Sequence, residues 1–462
     1  MKKKYGIIAV LSILNIPLSI ILSIIIHTKL ANIAYSEIVI DKQLSLLVFL
    51  IYMLIEVVII VLFSFNGKNI FESQTVSITE KLKTPEVVGQ GQHGTARWMT
   101  AKEMEKYFKV NYIPNNEIPK FNSGGIVVGF KKKRKKEKIY YIDDNIHSLV
   151  IGATRSGKSR CIVLETAGIL GLASESILFS DPKSELYHYT SEFFKNLGYK
   201  IITIDFKNPT KSTRYNFLQP VIDAVNAEDY RKAEEYAWDI TQSLVGNEET
   251  KMEKIWRDGE MSVIAGAIMS VVFDNKENPE YQNLTNVYYF ISEMCRTTGQ
   301  TMPINKYIEN LPPEHPASAI FNIARIAPEK TRGSFFTSAL TTLRLFTSKS
   351  IYGMTCKSDF SLKEAGEGKV VTYIILPDEK TTYYPLASLF VYQNYVALCE
   401  LADSRGGELK TRVNFILDEF GNFTTIPAFG NMLTVAGGRR IRFNLFLQRI
   451  FSIRNKIWER CC

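Results

Sequence analysis

SLVIGATRSGKS, Ser148 to Ser159, joins an apolar, β-prone run (Ser148 to Gly152) to the helical stretch Arg160 to Leu172. That order of strand, loop and helix turns an eight-residue pattern into a phosphate-binding loop, made of Gly152, Ala153, Thr154, Arg155, Ser156, Gly157, Lys158 and Ser159. The two glycines permit the tight turn, and the loop amides with the helix N-terminus point at anionic phosphates. Lys158 is placed to bridge the β and γ phosphates and Ser159 to ligate Mg²⁺, so the cofactors expected are ATP and Mg²⁺. The same segment predicts the fold class: α/β, built on a P-loop ATPase core.

Downstream, further strands end in polar residues, as an α/β sheet requires to build a site at its carboxyl edge. Ser176 to Ser180 runs into DPKSELY (Asp181 to Tyr187), and Lys200 to Asp205 into FKNP. Asp181, Lys183 and Glu185 read equally as a helix N-cap with solvated charges. Strands return at Lys369 to Leu376 and in VNFILDEF, Val413 to Phe420, which delivers two carboxylates as a Walker B element does. Asp418 is expected to hold the metal shell and Glu419 to activate the attacking water. A last strand, Arg442 to Leu447, ends at Gln448, a candidate sensor of the γ-phosphate.

Between the two halves, residues 221–330 lose the strand pattern and take up 3.6-residue spacing, with Tyr236, Ala237, Ile240 and Leu244 in one set and Ile255, Trp256, Val263, Ile264, Ala267, Ile268, Val271 and Val272 in another. We read an all-α insertion. It carries 18 Asp and Glu against 10 Lys and Arg, in a chain whose formal charge is +9. An acidic surface is unsuited to be a DNA track and suits protein docking, or is simply solvated. The opposite extreme is KKKRKKEK, Lys131 to Lys138, lying between strand signals at Gly124 to Phe130 and Ile139 to Ile142. It is expected as a hairpin tip, a solvated basic knob or a contact with DNA or lipid head groups.

Toward the N-terminus, Tyr5 to Ile26 and Leu44 to Phe65 are almost wholly apolar runs of about 22 residues, long enough at 1.5 Å per residue to cross roughly 30 Å of hydrocarbon. A cleaved signal peptide is the rival for the first run, but its apolar region is usually only about 7–15 residues. Lys2, Lys3, Lys4, Lys68, Lys81 and Lys83 outnumber the intervening Lys29 and Lys42, which places both ends and the motor in the cytoplasm. Glu56 falls near mid-span, as a neutral side chain within the hairpin or a contact between subunits. The domains expected are a transmembrane hairpin (1–67), the first part of the nucleotide-binding domain (68–220), the all-α insertion (221–330) and the second part (331–462). The six cysteines form no CxxC pair, which argues against a zinc or disulfide framework.

Read together, the double span, HGTARW (His93 to Trp98), GATRSGKS, DPKSELY, STRYNFLQP (Ser212 to Pro220), PEKTRGSFFTSAL (Pro328 to Leu340), LDEFGNFTTIP (Leu417 to Pro427) and GGRRIRF ahead of Gln448 resemble the TraG-like coupling ATPases of type IV secretion and conjugation. The resemblance covers nearly the whole chain in order. It implies a homo-hexameric ring on a RecA-like core, anchored in the cell membrane, that recruits a relaxase on DNA, single- or double-stranded, and passes it to the type IV secretion channel at the expense of ATP. By position, Arg439 resembles an arginine finger toward a neighbouring subunit, with Arg440, Arg325, Arg332 and Arg344 as alternatives.

The resemblance breaks at the end. Family members follow the Gln-bearing strand with a second Gln, a Tyr-Gly pair, a further strand and a long segment, whereas this chain reads QRIFSIRNKIWERCC. A missing strand predicts an open sheet edge and an uncovered apolar face. One codon choice for KIWERCC, read one nucleotide later, gives KYGKDVA, so a frameshift is a hypothesis that the coding DNA decides. Three functions follow: an active coupling ATPase, another membrane-tethered DNA translocase of the partitioning type, or a non-enzymatic remnant.

Overall fold

In the computed structural model the described residues are 97–114, 118–133, 136–246, 254–296 and 302–449, with the backbone of 75–79 and 82–85 and scattered positions from 17 to 54. The chain divides into two units, Met1–Met99 and Thr100–Cys462. In the first, β1 (Thr75–Thr79) and β2 (Leu82–Pro85) form an antiparallel pair. Most of the two expected spans lies outside the described residues, and the positions described there are helical. Among the described residues no helix is long and apolar enough to cross a membrane.

The second unit opens with the helix Ala101–Tyr107, fixed by a capping box in which Thr100 and Glu103 exchange side-chain and backbone bonds. A three-stranded antiparallel sheet follows, in order β3 (Lys109–Pro114), β5 (Lys136–Ile142), β4 (Ile126–Lys133). The basic run closes the β4–β5 hairpin, with β4 extending to Lys133 and β5 beginning at Lys136; Lys131, Lys132 and Lys136 are exposed, while Lys138 is buried. Antiparallel pairing tolerates this because one face can stay in water. Lys132 pairs with Glu137 at 3.8 Å and Lys138 with Glu105.

The main sheet has six strands, all parallel, in the order β6 (Ser148–Ile151), β11 (Ile441–Leu447), β10 (Val413–Leu417), β7 (Ser176–Asp181), β9 (Val370–Ile375), β8 (Lys200–Asp205). The four inner strands are buried at every residue. Their mainly apolar character is what a sheet covered on both faces demands, and their buried polar residues, such as Asn414 and Arg442, find hydrogen-bond partners. Alternation divides them between two layers: Ile177, Phe179, Tyr373, Ile416 and Phe446 pack with the helices Leu164–Leu172 and Glu185–Asn196, while Leu178, Phe415, Phe443 and Leu445 join the larger core under the helix Tyr384–Ser404. Among the described residues β6 ends the sheet with no neighbour on its outer side, and Leu149 and Ile151 are 49% and 45% exposed.

Between β8 and β9 every described regular element is helical, from the short turn Pro209–Lys211 to Glu364–Glu367. The centre of this layer is the helix Lys254–Asp274. Val263, Ile264, Ala267, Ile268, Val271 and Val272 are buried as their spacing predicts, but Ile255 and Trp256 at its first turn are 60% and 46% exposed. Gly259 and Gly266 admit the rings of Phe335 and Phe321, which a Cβ would approach to 2.3 and 2.6 Å.

A buried polar clasp ties the small sheet to the amino edge of the large one. Glu175, just before β7, accepts from Arg442 at 2.5 Å, Arg412 at 3.1 Å, Asn414 at 2.9 Å and the Gly124 amide at 2.8 Å, while Arg442 also donates to the Gly124 carbonyl. Next to it, a Cβ at Gly125 would stand 1.7 Å from the Ile142 carbonyl oxygen, so only glycine lets these backbones approach so closely.

Candidate active site

Strand order decides the site. Placing β11 between β6 and β10 brings the carboxyl ends of β6, β11, β10 and β7 into one row, carrying in turn the phosphate loop, Gln448, Asp418 with Glu419, and Asp181. This is the edge at which open α/β sheets bind ligands.

The loop is held at its root by the Gly152 amide, which donates to the Leu447 carbonyl at 3.0 Å. Gly157 takes a φ of +87°, and Arg155 is also left-handed at +63°. A Cβ at Gly152 would lie 2.7 Å from Ser156 Oγ and 3.2 Å from the Lys158 side chain, filling the cradle that a phosphate needs. Ala153, Thr154, Arg155 and Ser156 are exposed, and Lys158 Nζ folds over the loop to donate to the carbonyls of Gly152 at 2.6 Å and Ala153 at 3.1 Å. The helix after the loop starts with a wide turn, Ser159–Val163, before α-helical geometry begins at Leu164.

Ser159 Oγ donates to Asp418 Oδ2 at 3.1 Å across 259 residues of sequence. A hydroxyl and a carboxylate oxygen facing each other fit the hard-oxygen donor set of Mg²⁺, which is usually held by one or two protein oxygens together with water and substrate phosphates. Asp418 Oδ1 accepts from the Glu419 amide at 2.9 Å, and the Asp418 carbonyl accepts from Ser180 Oγ at 2.7 Å. Glu419 adopts a left-handed backbone (φ +51°), a conformation that costs a non-glycine residue energy and re-aims its side chain. Its carboxylate is then fixed from two sides, by Gln448 Nε2 on Oε1 at 3.1 Å and Asn422 Nδ2 on Oε2 at 3.2 Å.

Burial raises the carboxyls of Asp418, Glu419 and Asp181 above their usual range. For Asp418 the Ser159 hydrogen bond opposes the rise; for Glu419 the Asp418 charge adds to it, against Lys183 and Gln448. Asp181, 2% exposed, accepts from the Tyr187 amide at 2.8 Å, so it does cap the next helix, but as a buried carboxylate beside Asp418. Sequence reasoning missed Asn422 and Ser180. Asn422, three residues beyond Glu419, was legible as a neighbour only once the short turn Phe420–Asn422 was known.

The candidate finger lies elsewhere. Arg439 and Arg440 precede β11 at its amino end, opposite the phosphate loop. Arg439 pairs with Asp403 at 2.9 Å, and Arg440 donates to the carbonyls of Leu409 and Lys410. Arg332 is occupied by Asn305 and the carbonyls of Arg325 and Ala327.

Among solved structures the chain is similar to the plasmid coupling protein TrwB in complex with the non-hydrolysable ATP analogue ADPNP, with 17% identity, a TM-score of 0.51, and 68% of this chain and 66% of that chain covered. It is equally similar to TrwB in complex with ADP and Mg²⁺, at 16% identity and a TM-score of 0.51, covering 68% of each chain. The likeness is one of fold, and the chain spans about two thirds of the length of the structures it matches. No curated protein matches it. The family model for type IV secretory system conjugative DNA transfer matches residues 97–459. Most of the sequence, including every group in the row just described, lies within that match, and the chain belongs to the type IV secretory system conjugative DNA transfer family.

Proposed function

We propose that this chain is a membrane-anchored ATPase that couples DNA, or a relaxase bound to DNA, to a type IV secretion channel and drives transfer by ATP hydrolysis. The proposed organisation is a transmembrane hairpin (1–67) and a RecA-like nucleotide-binding domain in two parts (68–220 and 331–462) around an all-α insertion (221–330). It assembles as a homo-hexamer at the cell membrane, its motor in the cytoplasm. The observation that carries the reading is the convergence of Lys158, Ser159, Asp418, Glu419 and Gln448 on one sheet edge.

In this reading Lys158 would hold the β and γ phosphates, and Ser159 and Asp418 would be the two protein oxygen ligands of the metal. Bound Mg²⁺ supplies neutralisation of phosphate charge. Glu419 takes a proton from the attacking water at a carboxylate oxygen, and the rise in its pKa makes it a stronger base. Gln448 holds that carboxylate in place and is placed to sense the γ-phosphate. Arg439 serves a neighbouring subunit, since it stands at the wrong edge to reach its own loop.

The test is ATP hydrolysis by the full-length chain in detergent, with and without DNA, beside Lys158→Ala. Turnover stimulated by DNA and reduced about 10²-fold or more in the variant is expected, given the usual worth of one charge-stabilising donor. Turnover no greater than that of the variant overturns the enzymatic reading in favour of a remnant.

A further inference from the structure

A second cavity shares no lining residue with the nucleotide site. It lies between the helices Gln219–Asn226, Tyr230–Val245 and Tyr384–Ser404 and the loop 358–363, and has a volume of about 580 Å³. That is the size of a small-molecule site. Its wall is apolar and aromatic, formed in part by Tyr236, Ile240, Phe360, Leu389, Tyr392 and Val396.

The charged groups around it are mostly acids: Asp223, Asp229, Asp239, Asp359 and Glu400 against Lys232 and Lys363. Four of the five acids have work to do within the fold. Glu400 takes Lys232 at 2.7 Å and Lys363 at 3.2 Å, Asp359 is gripped by the Arg214 fork at 2.8 Å, Asp229 caps its helix through the Lys232 amide, and Asp223 accepts from Gln219 at 2.8 Å. Asp239 differs. It is half-buried in the middle of a helix, its Oδ2 accepts only the neutral Tyr392 hydroxyl at 2.9 Å, and among the described residues no cation pairs with it. Burial raises its carboxyl, opposed by Tyr392, with Glu235 adding to the rise. A carboxylate left with one neutral donor against an apolar wall carries a desolvation cost that an incoming cation removes.

We propose that this cavity binds a small organic cation, an amine or polyamine whose ammonium pairs with Asp239 and whose hydrocarbon body lies on Tyr236, Tyr392 and Phe360. The tyrosine faces favour a positive charge, as Lys232 Nζ at 5.5 Å from the centre of the Tyr236 ring already illustrates. The surplus of carboxylates disfavours phosphate, so the cavity is not a second nucleotide site. The proposal does not depend on ATP hydrolysis.

Calorimetric titration of the full-length chain in detergent with spermidine tests it, beside Asp239→Asn, which keeps the Tyr392 acceptor and the volume, and Glu277→Gln, which removes an exposed acid elsewhere. Saturable binding with Kd below about 1 mM is expected, weakened about tenfold or more by Asp239→Asn and unchanged by Glu277→Gln. No saturable binding by that concentration, or equal weakening in both variants, overturns the proposal; the second result means general attraction of a polycation to surface acids. If Asp239→Asn lowers the melting temperature, Ala397→Met carries the test. It fills the cavity without altering charge, so binding must fall with it, and undiminished binding refutes the site.

Discussion

Replacing Glu175 by glutamine keeps its volume and removes the single negative charge from a cluster with two guanidiniums. The side chains of Glu175, Arg442 and Arg412 are 7%, 3% and 13% exposed, so water cannot take over the lost interaction. Burial holds the Arg442 guanidinium down at about 10 even with the Glu175 charge and hydrogen bond pulling it up, and removing them lets it fall further. Breaking such a buried pair on one side costs about 3–5 kcal/mol, because the partner stays charged and unpaired. With a urea m-value near the upper end of about 1–3 kcal/mol per molar, the unfolding midpoint should fall by about 1 to 1.7 M. The sign with pH follows from the depressed base: between its folded and unfolded pKa the unfolded chain binds more protons, so its cost is full below the folded value and fades as pH rises through it. The deficit of Glu175→Gln relative to the parent should therefore narrow as pH approaches 10. Urea denaturation followed by circular dichroism at two pH values measures both effects. A midpoint within about 0.3 M of the parent, under 1 kcal/mol by the same slope, would show that the clasp contributes no more than a surface ion pair.

Gln448→Ala should slow ATP turnover about 10-fold or more with little change in nucleotide affinity, because it frees the Glu419 carboxylate without touching the loop; steady-state kinetics separate the two, and a change confined to KM contradicts the assignment. Gly266→Ala should destabilise by about 1–3 kcal/mol, since its Cβ meets the fully buried Phe321 ring at 2.6 Å, whereas Gly168→Ala, with nothing within 4 Å, should gain up to about 1 kcal/mol from helix propensity; thermal melts of the pair check the contrast. Iodoacetamide followed by peptide mapping should label exposed Cys161 quickly and Cys295 slowly, as burial pushes the Cys295 thiol up to about 12; equal rates would contradict that environment.

The local chemistry of this protein was legible because it is written in short, contiguous patterns. A strand, a glycine-bearing loop and a helix fix the phosphate site within twelve residues, and an apolar strand ending in two acids fixes Asp418 and Glu419. Largely apolar runs gave the buried strands, since a strand covered on both faces has little polar side to show. Distances across the sheet were not legible. That Ser159 meets Asp418, or that Gln448 holds Glu419, depends on β11 entering between β6 and β10, a choice of strand order made by packing. The basic run was legible as a hairpin end with exposed lysines, but the burial of Lys138 beside Glu105 was not, because charge pattern predicts solvation while packing decides which lysine is covered. Glu175, Arg412 and Arg442 carried no sequence signal, because surface and buried charges read alike until the tertiary structure removes the water. The sequence by itself determined which residues could handle a nucleotide; the tertiary structure alone decided which of them stand together, and left Asp239 without a cation among the described residues beside an aromatic-walled cavity, because burial and long-range proximity are properties of the packed chain.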